Sequence, residues 1–185
     1  MSRIVTLSEL QEGDRCLVER ALAASANAYA PYSGFAVGAA VRTKAGKIYT
    51  GANIENAAYA VVICGEVSAV AAANAAGDFD IEAIAIVGHK FQPPTDTSQV
   101  VTPCGRCRQV IFEASQIAKV DIRVLSCNGS LSKIAEGTIS ELLPEAFGPK
   151  NLGLTDAWPA MQAGLHATVE QLVVSASQSC QGVKP

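Results

Sequence analysis

The chain has 185 residues, 49% of them hydrophobic and 17% charged, with a net charge of −3 and a pI near 5.4. That is enough apolar content for one sizeable core plus a tail, without disulfide staples. The acidic balance and the lack of any Lys/Arg run argue against a nucleic-acid partner, because phosphate recognition needs clustered cations.

Leu7–Ala30 reads as an amphipathic helix, with Ser8 as its N-cap and acidic residues in its first turn. Pro31 ends it, and Pro31-Tyr32-Ser33-Gly34 forms a turn. Phe35–Thr43 and Ile48–Ala52 are strands joined by the Lys44–Lys47 turn into a hairpin. A loop follows Asn53, then an Ala-rich helix from Cys64 to Ala76 that Gly77 stops. Ile81–Gly88 is a buried strand and Phe91–Val101 a polar, Pro-rich loop. Thr102–Gly105 is a turn and Arg108–Ala118 a helix. Asp121–Ser126 is a strand, Ser130–Ile134 a short edge strand and Ile139–Leu143 a short helix before Pro144. Strands alternating with helices predict an α/β fold with parallel pairings and both sheet faces covered.

Residues 1–150 form the expected catalytic domain. Residues 151–185 form an extension, helical over Ala163–Ser177 and disordered from Gln178. Met1–Asp14 lacks the basic region and apolar run of a signal peptide. The longest apolar candidate for a membrane span, Ala57–Ala76, is broken by Glu66. A cytoplasmic protein that does not bind membranes is expected. In that compartment the six cysteines point to metal binding or simple burial rather than disulfides. Cys16, Cys127 and Cys180 read as structural, and His89 and His166 as surface polar residues.

Three features carry chemistry, one of them Asn53-Ile54-Glu55-Asn56 just ahead of the first cysteine motif. Cys64-Gly65-Glu66 opens one helix, and Pro103-Cys104-Gly105-Arg106-Cys107 opens another. Three thiolates with no fourth protein ligand are the pattern of an open zinc site, which keeps one position for water. Helix N-termini favour thiolates through their free amides and dipole. Glu66 is too close to Cys64 to share the metal and is better placed to move protons beside a metal-activated water. A zinc ion with three thiolates is still negative, so Arg106 and Arg108 are candidates to offset the charge.

Residues 30–152 resemble the homotetrameric cytidine deaminase family. The resemblance rests on Tyr29-Ala30-Pro31-Tyr32-Ser33-Gly34-Phe35, on Asn53-Ile54-Glu55-Asn56, on both cysteine motifs and on Glu141-Leu142-Leu143-Pro144-Glu145-Ala146-Phe147. It implies a three-layer α-β-α sandwich around a mixed five-stranded sheet. It implies Zn2+ held by Cys64, Cys104 and Cys107, with Glu66 as proton shuttle. Asn53 and Glu55 would bind the ribose 3'-hydroxyl, Phe35 would pack on the pyrimidine and the Gly65 backbone would hold the base carbonyl. Tyr59 and Phe147 would reach into a neighbouring subunit's site. The implied reaction is hydrolysis of cytidine or 2'-deoxycytidine to the uracil nucleoside and ammonia, in pyrimidine salvage.

Plainer readings stand beside these. Phe35 reads equally as a core aromatic, Asn53 and Glu55 as a turn residue and a solvated charge, and Tyr59 and Phe147 as interface packing. The sequence departs from the family at Val67, where an Arg follows the Glu in Cys-Ala-Glu-Arg. Arg106 between the cysteines would take over thiolate charge compensation, a feature similar to blasticidin-S deaminases. Deamination of a modified cytosine nucleoside such as blasticidin S is therefore the alternative, followed by a silent zinc- and nucleoside-binding scaffold. The Gln92–Gln99 loop and the C-terminal extension are additions to the family pattern.

Overall fold

A computed structural model describes residues 3–92, 99–154 and 156–180, the last six by backbone alone. They form two compact units, Met1–Gly148 and Pro149–Pro185. The first unit is built on a six-stranded sheet. Its strands are β1 (Arg3–Val5), β2 (Phe35–Thr43), β3 (Ile48–Ala52), β4 (Ile81–Lys90), β5 (Arg123–Asn128) and β6 (Ile134–Thr138). The spatial order is β1-β6-β5-β4-β2-β3. Only β4 and β5 pair in parallel; the other four pairings are antiparallel. The α/β class and mixed sheet are those expected, but the sheet has one strand more than the five implied. β1 is three residues long, too short for a period of two to show.

Helix α1 (Glu12–Ala24) lies on one face, and α2 (Gly65–Ala75) and α3 (Gly105–Ala118) on the other. Alternation along the strands sorts the two cores. Ala83, Ala85 and Val87 of β4 join Leu17, Val18 and Ala21 of α1. Ile84 and Ile86 join Ala69 and Ala73 of α2 and Ile111 and Ala114 of α3. Each large aliphatic side chain buried this way contributes about 1.5–3 kcal/mol against the cost of ordering. Two glycines let the helices sit on the sheet itself. A Cβ on Gly38 would lie 2.0 Å from the Ala21 carbonyl of α1, and one on Gly51 would lie 2.3 Å from the Ala69 nitrogen of α2.

Three further expectations are corrected. The first helix is shorter than Leu7–Ala30. Thr6, not Ser8, caps a 3-10 turn over Leu7–Glu9 through a capping box with Glu9, and a second 3-10 turn, Ser25–Asn27, follows α1. The strand placed at Ser130–Ile134 begins at Ile134, and it is interior because β1 covers it. Residues 128–133 form a turn instead. The Asn128 side chain accepts the Lys133 N–H at 3.0 Å and donates to Ser132 at 2.9 Å, and Leu131 adopts φ 57°. The short helix α4 spans Ile139–Leu142.

In the second unit, helix α5 runs over Trp158–Cys180, longer at both ends than expected. Residues 93–98 of the Gln92–Gln99 loop and residues 181–185 of the tail lie outside the described residues.

Candidate active site

Cys64 is the N-cap of α2 and Cys104 the N-cap of α3, both with extended backbone; Cys107 is in the first turn of α3. Local sequence explains this. Pro103 precedes a Cys–Gly step that releases the chain into the helix, and Gly65 does the same for α2. Ile63, just before Cys64, pairs with Ile54 through two backbone hydrogen bonds of 2.8 and 2.9 Å. That bridge closes the loop over residues 55–62 and sets Asn53 and Cys64 on neighbouring segments.

The three sulfurs converge. Cys104 Sγ lies 3.9 Å from Cys64 Sγ and 3.4 Å from Cys107 Sγ, and all three lie within 4.8 Å of one another. Tetrahedral Zn–S bonds of about 2.3 Å place sulfurs roughly 3.8 Å apart, so the trio is spaced for that ion. The charges agree. Hydrogen bonds from Cys107 and Cys104 pull the Cys64 thiol down to about 5, with help from Arg106. The bond to Cys64 and burial push Cys107 the other way. A bound cation favours the thiolate form of all three, since metal-ligating cysteines are deprotonated.

Glu66, 5% exposed, stands in the first turn of α2. Burial raises its pKa, and the Cys107 thiol hydrogen-bonds its carboxyl. Arg106 donates to the Val62 carbonyl at 2.7 Å and to Cys64 Sγ at 3.6 Å. Arg108, the other candidate counter-charge, does not face the trio. It donates to the Pro103 carbonyl at 2.9 Å and the Leu142 carbonyl at 3.0 Å, tying α3 to α4. On a helix, residues two apart point about 200° apart, so only one of the two arginines can face the sulfurs.

Phe35, Asn53 and Gly65 meet through the end of β2. The Asn53 amide accepts the Val37 N–H at 2.9 Å and donates to the Phe35 carbonyl at 3.0 Å. Gly65 packs so close to Val37 that a Cβ would lie 2.9 Å from its carbonyl oxygen. The Phe35 ring fills the space over Gly88, where a Cβ would come within 2.8 Å of it. Glu55 uses one carboxylate oxygen to accept the N–H groups of Tyr32 (2.9 Å) and Ser33 (3.2 Å). A bond from the Ser33 side chain and these amides outweigh desolvation and hold Glu55 below the usual carboxylate range.

Tyr59 and Phe147 project from the surface, 74% and 61% exposed. Tyr59 meets Tyr32 edge-on, with centroids 6.0 Å apart, and Gln109 holds the Phe147 carbonyl at 2.8 Å. An apolar groove of about 410 Å³ runs beside α2, lined by Ile54, Val61, Val67, Ala71 and Val110, with Arg106 at its edge. Sequence reading missed the Val62 carbonyl that anchors Arg106, since a backbone acceptor leaves no mark in side-chain pattern.

The family model of the cytidine and deoxycytidylate deaminase zinc-binding region matches residues 11–123. The chain belongs to this family. It is 42% identical over 136 residues to the cytidine deaminase of Halalkalibacterium halodurans, a match covering 74% of this chain and 95% of that one. It is 38% identical over 109 residues to the blasticidin-S deaminase of Bacillus cereus, covering 58% and 74%. Among solved structures, the cytidine deaminase of Burkholderia pseudomallei superposes with a TM-score of 0.63 at 38% identity, covering 75% of this chain and all of the other. The deaminase family resemblance read from the motifs holds, and the thiol trio fits the zinc ion that names the family's region.

Proposed function

We propose that this chain deaminates cytidine and 2'-deoxycytidine hydrolytically at the 4-amino group, with Cys64, Cys104 and Cys107 as its zinc ligands. The observation that carries this reading is a buried carboxyl, Glu66, beside three sulfurs at metal spacing on two helix N-termini. Zinc bound there supplies a Lewis acid that makes water a nucleophile at neutral pH.

Everything else falls to side chains. Glu66 takes one proton from the attacking water and gives it to the ring nitrogen as C4 is attacked, then takes the second from the new C4 hydroxyl and delivers it to the leaving amine. Its burial favours the protonated form in which it carries each proton from pick-up to delivery. Arg106 offsets thiolate charge in place of the family Arg at position 67. Glu55, with Asn53 bracing the strand beside it, receives the ribose 3'-hydroxyl. Phe35 supports the pyrimidine, and the Gly65 backbone meets the base carbonyl. The apolar groove beside α2 supports assembly of copies into a homotetramer, in which Tyr59 and Phe147 complete a neighbour's site. The acidic surface charge supports a free nucleoside over a polynucleotide, and the reaction belongs to cytoplasmic pyrimidine salvage.

Val67 and Arg106, with the Bacillus cereus relative, favour blasticidin S as the second reading. Ammonia release from cytidine, measured with zinc content on one sample, tests the first. Turnover with about one zinc per chain is expected. Zinc with no turnover of cytidine but turnover of blasticidin S transfers the assignment to the second; zinc with neither overturns both.

A further inference from the structure

We propose that helix α5 is a self-association seam, in which the stripe Trp158, Met161, Leu165, Val169 and Leu172 packs against the same stripe of a second copy. At about 100° per residue, Met161, Leu165, Val169 and Leu172 fall within about 40° of one line along the helix. Each of these four is between 46% and 62% exposed. In proteins most helical stability comes from packing an apolar face rather than from propensity, and Gly164 within α5 sharpens that need.

Charge chooses the occupant. The 23 residues of α5 contain no Lys or Arg, and Glu170 is the one acidic residue. A helix that lies on a membrane carries basic residues along its polar face, and no described helix is long and apolar enough to cross one. A nucleic acid needs cations, and a charged protein surface would find nothing here to pair with. A second copy meets every requirement. Apolar stripe faces apolar stripe, and Glu170 lies about 140° from the seam, so no like charges are opposed. At about 1.5 Å per residue the helix spans roughly 34 Å, about three heptads, which suits a two-stranded pair. The relatives above are matched almost end to end by three quarters of this chain, so the seam is additional to what they share.

The test is sedimentation of the full-length protein through a dilution series. The double variant Leu165→Glu/Leu172→Glu is expected to raise the concentration of half-dissociation at least tenfold, with zinc content unchanged. Glu170→Gln, off the seam, is expected to match the wild type. If the double variant lost the helix altogether, a second experiment decides. Full-length Leu165→Glu and Leu165→Lys chains are each weakened alone and regain wild-type association when mixed. An unchanged dissociation concentration, failed rescue on mixing, or a wild type that is a single chain at micromolar concentration overturns the proposal. So does co-flotation of the wild type with phosphatidylcholine–phosphatidylserine vesicles. Because the Leu165 charge pairing reads contact through α5 alone, this test stands or falls apart from the deaminase reading and from the homotetramer proposed with it.

Discussion

Two clusters of charge sit in the first unit, on opposite faces of the sheet, and they are balanced differently. On the α1 side, six side chains form an unbroken line of alternating sign: Arg3, Glu136, Arg123, Asp14, Arg42 and Glu82. The Asp14 contacts are 2.9 Å to Arg42 and 2.8 Å to Arg123. Arg42 reaches Glu82 at 2.7 Å and Arg3 reaches Glu136 at 2.9 Å, while Arg123 pairs directly with Glu136. Three guanidinium groups match three carboxylates, so this line is neutral, although Arg123 Nε is buried without a hydrogen-bond partner. The line ties five strands to α1. On the other side, three thiols and Glu66 face one guanidinium, Arg106. That cluster is completed only by a cation. A charge cluster that closes on itself holds a fold together, and one left short of positive charge is built to receive a ligand.

The contrast predicts where each perturbation is felt. Removing zinc with a chelator is expected to abolish turnover while leaving the α1 side folded; ammonia assays and near-ultraviolet circular dichroism before and after zinc return check this. Glu66→Gln should keep zinc and lose about 100- to 10,000-fold in kcat, and wild-type turnover in that variant would end the proton-relay role. Asp14→Asn should cost about 1–3 kcal/mol of stability, as removing one partner of a buried hydrogen-bonded group does, with the zinc content of the folded fraction unchanged. A fall in stoichiometry there would show that the two clusters are not independent. Arg106→Ala should weaken zinc binding or turnover by about 10- to 100-fold, the usual toll of removing a group that supports metal ligands, without shifting the melting temperature of the zinc-free protein.

The smallest effect concerns acid. Burial raises the Glu136 pKa, but the bond to Arg3 and the charges of Arg123 and Arg3 outweigh it and hold it below the usual value. A depressed carboxylate stabilises the fold above its unfolded pKa and loses that contribution as pH falls through the folded value. Melting temperature should therefore drop below about pH 4, and less steeply in Glu136→Gln.

The two clusters were not equally legible in sequence. Each cysteine motif lies within four residues at a helix start, so type, spacing and local structure announce it together. The charge line joins residues as far apart as Arg3 and Glu136, and each reads locally as an ordinary surface charge. Nor does composition reveal that Asp14 is 2% exposed. Serines 130 and 132 misled for another reason. Their alternation with Leu131 mimics a strand, whereas the Asn128 side chain folds them into a turn. The helical parts of α2 and α3 were plain from Ala-rich or periodic runs bounded by Gly or Cys caps. The parallel pairings expected from strand–helix alternation reduce to one, because the β2–β3 hairpin and β6 enter the sheet antiparallel.

The pairing of β1 with β6 also sets an order of events during synthesis. Arg3 and its partner Glu136 are separated by 133 positions. A ribosome adding about 5–20 residues per second exposes β1 roughly 7–27 s before β6 exists. Until then the β1 segment has no neighbour to pair with, and the sheet closes at this edge last.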